Sequence, residues 1–231
     1  MMTISRLTVL VTALAVGIQV FNVYRRHGPV PAAEVLRRNG LLRPATLSLG
    51  RLQAKGNAEA RVAVVEFSDY ECSYCAQHAM TVGPALDREF VRTGVIRYAF
   101  SNNPLPIHAR ARYLAVAALC AGQQNRYWEM HDALFRERPR TTDQVAAVAK
   151  SVVADRTGFD GCVKENPEMV RAIDADVSSA RELGFSSTPS FVVGTISADG
   201  VVTTDSVLVG AQPVEAFRKA INQSVSRRFQ H

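Results

Sequence analysis

The chain reads as an α/β protein. A mixed central sheet is flanked by helices, split by an all-helical insertion and preceded by an apolar N-terminal segment. Three observations predict this. Two β-branched runs, Arg61–Phe67 (RVAVVEF) and Gly94–Phe100 (GVIRYAF), enclose a stretch of helical character. Amphipathic helical stripes then fill residues 108 to about 184. Strand character returns at Ser190–Val193 and Val207–Val209, ahead of a last helical segment. A β-α-β half and a β-β-α half separated by helices form a small mixed sheet with helices on both faces.

Composition sets the outer limits. The 231 residues, 47% hydrophobic and 21% charged, suit one large domain and exclude a disordered chain. Twenty-seven basic residues against 21 acidic ones give a net charge of +6. The arginines are scattered, the densest run being Arg136, Arg138 and Arg140 around Pro139. Without a clustered patch and interleaved aromatics, no nucleic-acid partner is predicted.

Residues 1–26 form the N-terminal segment. Leu7–Tyr24 is uncharged and flanked by Arg6 and by Arg25-Arg26. As a helix it would span roughly 27 Å, enough for the core of a bilayer. The reading is an uncleaved membrane anchor, the alternative a signal peptide cut near Ala13-Leu14-Ala15. Either places the globular part outside the cytoplasm, in the periplasm, although Arg25, Arg26, Arg37 and Arg38 run against the positive-inside tendency. Residues 27–60 read as a linker and lead-in strand, with a short helical piece around Ala32–Arg38. The main domain is placed at 61–231.

Within that domain, Arg61–Phe67 is a buried strand bounded by Gly56-Asn57 and Ser68-Asp69. Cys72 to about Arg92 is helical, with a kink expected at Gly83-Pro84. Four apolar stripes mark the insertion: Leu114/Ala117/Ala118/Ala121, Tyr127/Trp128/His131/Leu134/Phe135, Val145/Val148/Ala149/Val152/Val153, and Val170/Ile173/Val177/Ala180. Thr141-x-x-Gln144 is a capping-box pattern opening the third, and Pro167 and Gly184 bracket the fourth. The turn Ala198-Asp199-Gly200 separates the last two strand segments, and Pro213 opens the closing helix.

The chemistry concentrates at Cys72-Ser73-Tyr74-Cys75, after a strand and a four-residue connection and at the start of a helix. The first cysteine there meets unpaired N–H groups and the positive end of the helix dipole, which favour a thiolate. A zinc ribbon needs a second close pair, and Cys120 and Cys162 stand too far apart. Redox chemistry is therefore predicted, with no metal. Glu66 interrupts an apolar strand, either as an exposed strand residue or as a buried carboxylate that moves a proton for the second cysteine. Pro189, after Thr188, is either a plain strand-start residue or a cis-proline beside the pair. Cys120 and Cys162 read as buried free thiols or as a structural disulfide. His131 reads as a packed core histidine and His108 as a cap or surface residue.

The ordered segments VAVVEFSDYECSYC, NNPLPIHARA, ALCAGQQNRYWEMHDALF, STPSFVVG and GAQPVEAF resemble the DsbA-like thiol:disulfide oxidoreductases of the thioredoxin superfamily, from about Leu47 to Ile221. The resemblance implies a thioredoxin fold carrying a helical insertion. It implies that Cys72 is an exposed nucleophile, Cys75 the buried resolving cysteine, Glu66 the buried acid and Pro189 a cis-proline facing them. Thr188, and with it Ser73 and Tyr74, would contact substrate, and Cys120 and Cys162 would be bridged. No cofactor beyond the Cys72–Cys75 disulfide is implied. The implied partners are reduced or misoxidised client proteins and a membrane redox partner that restores the disulfide. Tyr74 stands where strongly oxidising members often carry histidine, and residues 27–60 are too short for an isomerase's dimerisation domain. Oxidase is the first expectation and reductase the second.

Overall fold

The computed structural model of the chain describes residues 30–31 and 45–227. The segment Leu7–Tyr24 and the helical piece Ala32–Arg38 lie outside the described residues. Among those described, no helix is long and apolar enough to cross a membrane.

Strand β4 (Val62–Ser68) is the axis of the fold, and every one of its residues is buried. A strand buried on both faces is read by its alternation. Val62 and Val64 pack on one face with Phe191, Leu208, Leu86 and Phe217. Ala63, Val65 and Phe67 pack on the other with Ala180, Leu183 and Phe185. Parity puts Glu66 on the first face. Parallel β5 (Ile96–Asn102) pairs with one edge of β4 and antiparallel β6 (Ser190–Ile196) with the other. β3 (Gln53–Lys55) continues the sheet beyond β5, and β7 (Val201–Val209) continues it beyond β6. The short β1 (Val30–Pro31) and β2 (Thr46–Ser48) both pair with β7. The stretch before residue 61 thus adds several short strands to the sheet, where one lead-in strand was expected.

Helix α1 (Ser73–Leu86) and α7 (Val214–Arg227) cover the face that carries Glu66, and α6 (Pro167–Glu182) covers the other. Pro84 lies inside α1, which runs on unbroken for two residues and then widens into a π-helical turn, Asp87–Val91. Five helices make up the insertion: α2 (Ala111–Gly122), α3 (Tyr127–Glu137), α4 (Thr142–Val152), α5 (Arg156–Lys164) and α6. Periodicity predicts four of them. It misses α5, a nine-residue helix holding two glycines and burying only Phe159 and Cys162. The capping box of α4 is half formed. Thr141 Oγ1 accepts from Gln144 N at 3.2 Å, while Gln144 Oε1 accepts from Arg140 N instead of from the cap residue.

Cys120 on α2 and Cys162 on α5 form a disulfide, with Cα atoms 5.8 Å apart. It closes a loop of sequence separation 42 that contains α3 and α4. Removing both sulfurs (Cys120→Ala with Cys162→Ala) should destabilise the fold by about 2–4 kcal/mol through the freed chain entropy of the unfolded state. The denaturant midpoint, measured beside the thiol-exchange rate, checks this. The expected outcome is a lower midpoint with exchange largely intact.

Candidate active site

The loop between β4 and α1 is built on Asp69. Its Oδ1 accepts from Glu71 N at 2.8 Å, a local turn that brings the chain round to Cys72. Its Oδ2 accepts from Leu105 N at 2.7 Å and pairs with His108 Nδ1 at 2.8 Å. One buried carboxylate therefore ties the start of α1 to the loop after β5. Glu71 adds an ion pair with Arg110 on the same loop. His108, expected as a cap or surface residue, is part of this brace.

Cys72 is the N-cap residue of α1, in extended conformation. It is 7% exposed, so the expectation of an exposed nucleophile is corrected: Cys72 lies at the surface edge, mostly covered. The cover comes from the chain at Thr188, whose carbonyl oxygen accepts from Cys72 Sγ at 3.4 Å. The Thr188-Pro189 peptide is cis, and both residues are buried. Ser73 is exposed, and Tyr74 is 63% exposed. Cys75 is fully buried one turn inside the helix, and both cysteines are free thiols.

The two sulfurs have opposite acidities. A hydrogen bond from the Cys75 thiol lowers the Cys72 pKa to about 5, against the opposing effect of partial burial. Thr188 and the backbone N–H groups of Cys75 and Tyr74 add to the lowering. Burial first, and then its bond to Cys72 and the nearby Glu66 charge, push the Cys75 thiol far above the usual range.

Glu66 is 1% exposed, which decides between its two readings in favour of the buried carboxylate. Burial raises its pKa to about 7, partly offset by the hydrogen bond from Tyr98, the nearby Ser68 hydroxyl and the charge of Lys55. Tyr98 Oη donates to Glu66 Oε2 at 2.5 Å, and His78 Nε2 lies 3.1 Å from the same hydroxyl. Lys55 Nζ sits 4.6 Å from the centre of the Trp128 ring and pairs with Asp87 at 3.2 Å. Glu66, His78, Tyr98, Lys55 and Asp87 all line a cavity of about 500 Å³. His131 is buried and bonded to Tyr70 Oη at 3.2 Å, a packed core histidine.

Sequence reasoning missed Asp69, Tyr98, His78 and Lys55. One of them had a usable signal: His78 follows Cys75 by three residues, on the same side of a helix. Among the described residues, no group of three or more His, Cys, Asp or Glu side chains could hold a metal ion.

Comparison with known proteins agrees with the fold. A family model described as thioredoxin matches residues 51–222. The oxidised BdbD structure from Bacillus subtilis superposes with a TM-score of 0.65 at 20% identity, covering 80% of this chain and 96% of that one. The Na(+)/H(+) antiporter NhaA 1 of Salinispora arenicola is 35% identical over 146 residues, 62% of this chain and 22% of the antiporter. Disulfide bond formation protein D of Bacillus subtilis is 28% identical over 92 residues, 38% of this chain and 40% of that protein. The chain thus spans about a fifth of the antiporter and two fifths of the disulfide bond formation protein.

The pKa shifts predict a redox-dependent response to pH. Glu66 has a raised folded-state pKa, so it costs stability progressively as pH climbs from 4.5 to about 7. Cys72 is depressed from 9.0 to about 5, so as a free thiol it adds stability across that interval as pH rises. In the disulfide form Cys72 does not titrate and only the Glu66 penalty remains. The melting temperature of the reduced form should therefore climb relative to that of the disulfide form as pH rises. Parallel curves would contradict the depressed Cys72 pKa.

Proposed function

The chain belongs to the thioredoxin family, and from that premise we propose that it is a DsbA-like thiol:disulfide oxidoreductase acting outside the cytoplasm. In this reading its main direction is oxidation, the introduction of disulfides into reduced client proteins. The observation that carries the proposal is the split between the two sulfurs: an acidic one at the surface and a strongly basic one buried beside Glu66.

The steps follow from that split. In the disulfide form a client thiolate attacks Cys72 Sγ, the reachable sulfur, and the Cys72–Cys75 bond breaks. Cys75 leaves as a thiolate. It is a poor leaving group, so a proton from Glu66 assists it. A second client thiolate then attacks the client sulfur of the mixed disulfide, and Cys72 leaves as a stable thiolate. The client loses two electrons to form its disulfide, and the enzyme gains them as the Cys72 thiolate and Cys75 thiol. A second protein that accepts two electrons must restore the Cys72–Cys75 disulfide, and a membrane redox partner fits that role.

The cover over Cys72 supports a client role for Thr188. In the disulfide form Cys72 carries no hydrogen to donate, so the Thr188 carbonyl is free to accept from an incoming peptide N–H. Exposed Tyr74 offers an apolar, amphipathic surface beside it. Ser73 and Pro189 complete the proposed contact surface.

Three variants test the assignment on non-reducing gels. Cys75→Ala keeps the attacker without its resolver and should accumulate client adducts that dissolve in reductant. Cys72→Ala should trap nothing, because Cys75 is buried and protonated. Glu66→Gln should still exchange, but roughly a hundredfold more slowly where the proton transfer limits the rate. Trapping by neither cysteine variant would favour a non-catalytic peptide-binding domain. If insulin is reduced but reduced clients are not oxidised, the direction is that of a reductase.

A further inference from the structure

The assignment of Glu66 leaves open which of its oxygens takes the proton and what keeps that oxygen available. Tyr98 Oη donates to Oε2. Oε1 is buried and has no hydrogen-bond partner. An ionised carboxylate only accepts, so the Tyr98 hydrogen points to Glu66 and the Tyr98 oxygen is left able only to accept. His78 Nε2, at 3.1 Å, is in place to donate to it. That fixes the histidine as the neutral Nε2–H tautomer, with Nδ1 bare. Nδ1 is indeed buried without a partner. His78 is itself locked between rings, 4.6 Å from Phe191 and 5.4 Å from Phe217.

Resting on the oxidoreductase reading, we propose that Tyr98 and His78 are positioning residues: the chain His78 Nε2–H to Tyr98 O–H to Glu66 Oε2 holds the carboxylate so that Oε1 exchanges the proton of Cys75. In resolution, Cys75 gives its proton to Oε1 and its sulfur attacks Cys72 Sγ. The Cys72–Cys75 bond forms, the bond from Cys72 to the outside sulfur breaks, and that sulfur leaves as a thiolate. Two electrons pass from the enzyme's thiols to the departing molecule.

The groups facing Glu66 come from several elements. α1 supplies Cys72, Cys75 and His78, β5 supplies Tyr98, β3 supplies Lys55, and β4 itself supplies Ser68. Tyr70, and Tyr127 on α3, sense the Glu66 charge, and His131 lines the same cavity. α7 and β6 bring only Phe217 and Phe191 to the histidine, and neither titrates. His78 stays neutral, its pKa lowered by burial to about 3. Tyr98 stays protonated, since burial and the adjoining carboxylate raise its pKa. The chain therefore acts by hydrogen bonding across the working pH range.

The test uses the reduced full chain and an aryl disulfide whose released thiolate is coloured. Cys72 attack releases one equivalent and Cys75 resolution a second, so the second phase reads the proton transfer directly. In the wild type its rate should rise with pH through an inflection near 7, where Glu66 ionises. Tyr98→Phe should move that inflection up by about one pH unit, slowing the phase about tenfold at pH 6. His78→Leu should move it the same way, and His78→Gln, whose amide can still donate, should restore it. Glu66→Gln should show no inflection.

If Tyr98→Phe and His78→Leu superimpose on the wild type while Glu66→Gln does not, the positioning role is wrong and the function stands. If the wild type releases no second equivalent, the oxidoreductase reading fails instead; if Glu66→Gln behaves as wild type, Glu66 does not carry the proton and the positioning role falls with it. Should Tyr98→Phe melt at the assay temperature, the His78→Leu and His78→Gln pair decides. An inflection moved by both His78 variants alike overturns the hydrogen-bond chain.

Discussion

The chemistry of both sulfurs follows from where α1 starts. With Cys72 at the N-cap, the N–H groups of Tyr74 and Cys75 have no intrahelical acceptor, and their dipoles favour a thiolate on its sulfur. Cys75, one turn further in, has the same covalent structure and no such help. It stays protonated, and as a protonated donor it further stabilises the Cys72 thiolate. Shifting the helix start by one residue would give neither sulfur these surroundings. Asp69 prevents that shift by holding Glu71 with one oxygen and the 105–108 loop with the other.

Burying carboxylates in the core is costly unless their lone pairs are satisfied. Asp69 and Asp176 meet this requirement with backbone and side-chain N–H donors. Asp176 accepts from Asn102 N and Nδ2, tying α6 to the end of β5. Glu66 departs from the pattern. One of its oxygens is satisfied and the other is not. A half-satisfied buried carboxylate is a poor structural element, and its pKa of about 7 records that cost. Neither feature is peculiar to Glu66 alone, since buried Asp205 also leaves Oδ2 without a partner and burial raises Asp176 to about 6; Glu66 combines the two close to the Cys75 thiol, which suits a group that exchanges protons.

The parts of this fold that could be read in the sequence are those with a strong local signal. The β-branched runs are buried on both faces, so composition alone identifies β4 and β5. The Cys72–Cys75 spacing stands out in any context. Short edge strands such as Thr46–Ser48 carry three residues, too few for periodicity, and exist because β7 offers free backbone groups beside them. Helix α5 has little intrinsic helix preference, with Gly158 and Gly161 in nine residues. Its Asp155 cap and its bond to Cys120 help hold it in place. Glu66 drew notice as a charge in an apolar run, but its partners did not. Tyr98 and His78 look like ordinary strand and helix residues until β5 is set parallel to β4 and α1 is laid across them.

Tyr74 occupies a place between the two cysteines that a charged residue could take. A protonated histidine between the cysteines is one way to stabilise a thiolate, and this chain lacks it. Here the stabilisation comes from the Cys75 thiol, Thr188 and two backbone amides, none of which carries a charge that titrates near neutrality. A thiolate that is stable at pH 7 lowers the free energy of the dithiol form relative to the disulfide, because only the dithiol form can ionise. That bias drives electrons from client to enzyme and is the physical content of the oxidase proposal. Because the stabilising groups are neutral, the bias should hold through the pH range in which a histidine would lose its charge. The residue that does titrate there is Glu66, so the pH dependence of this protein should appear in the rate of resolution more than in the acidity of Cys72.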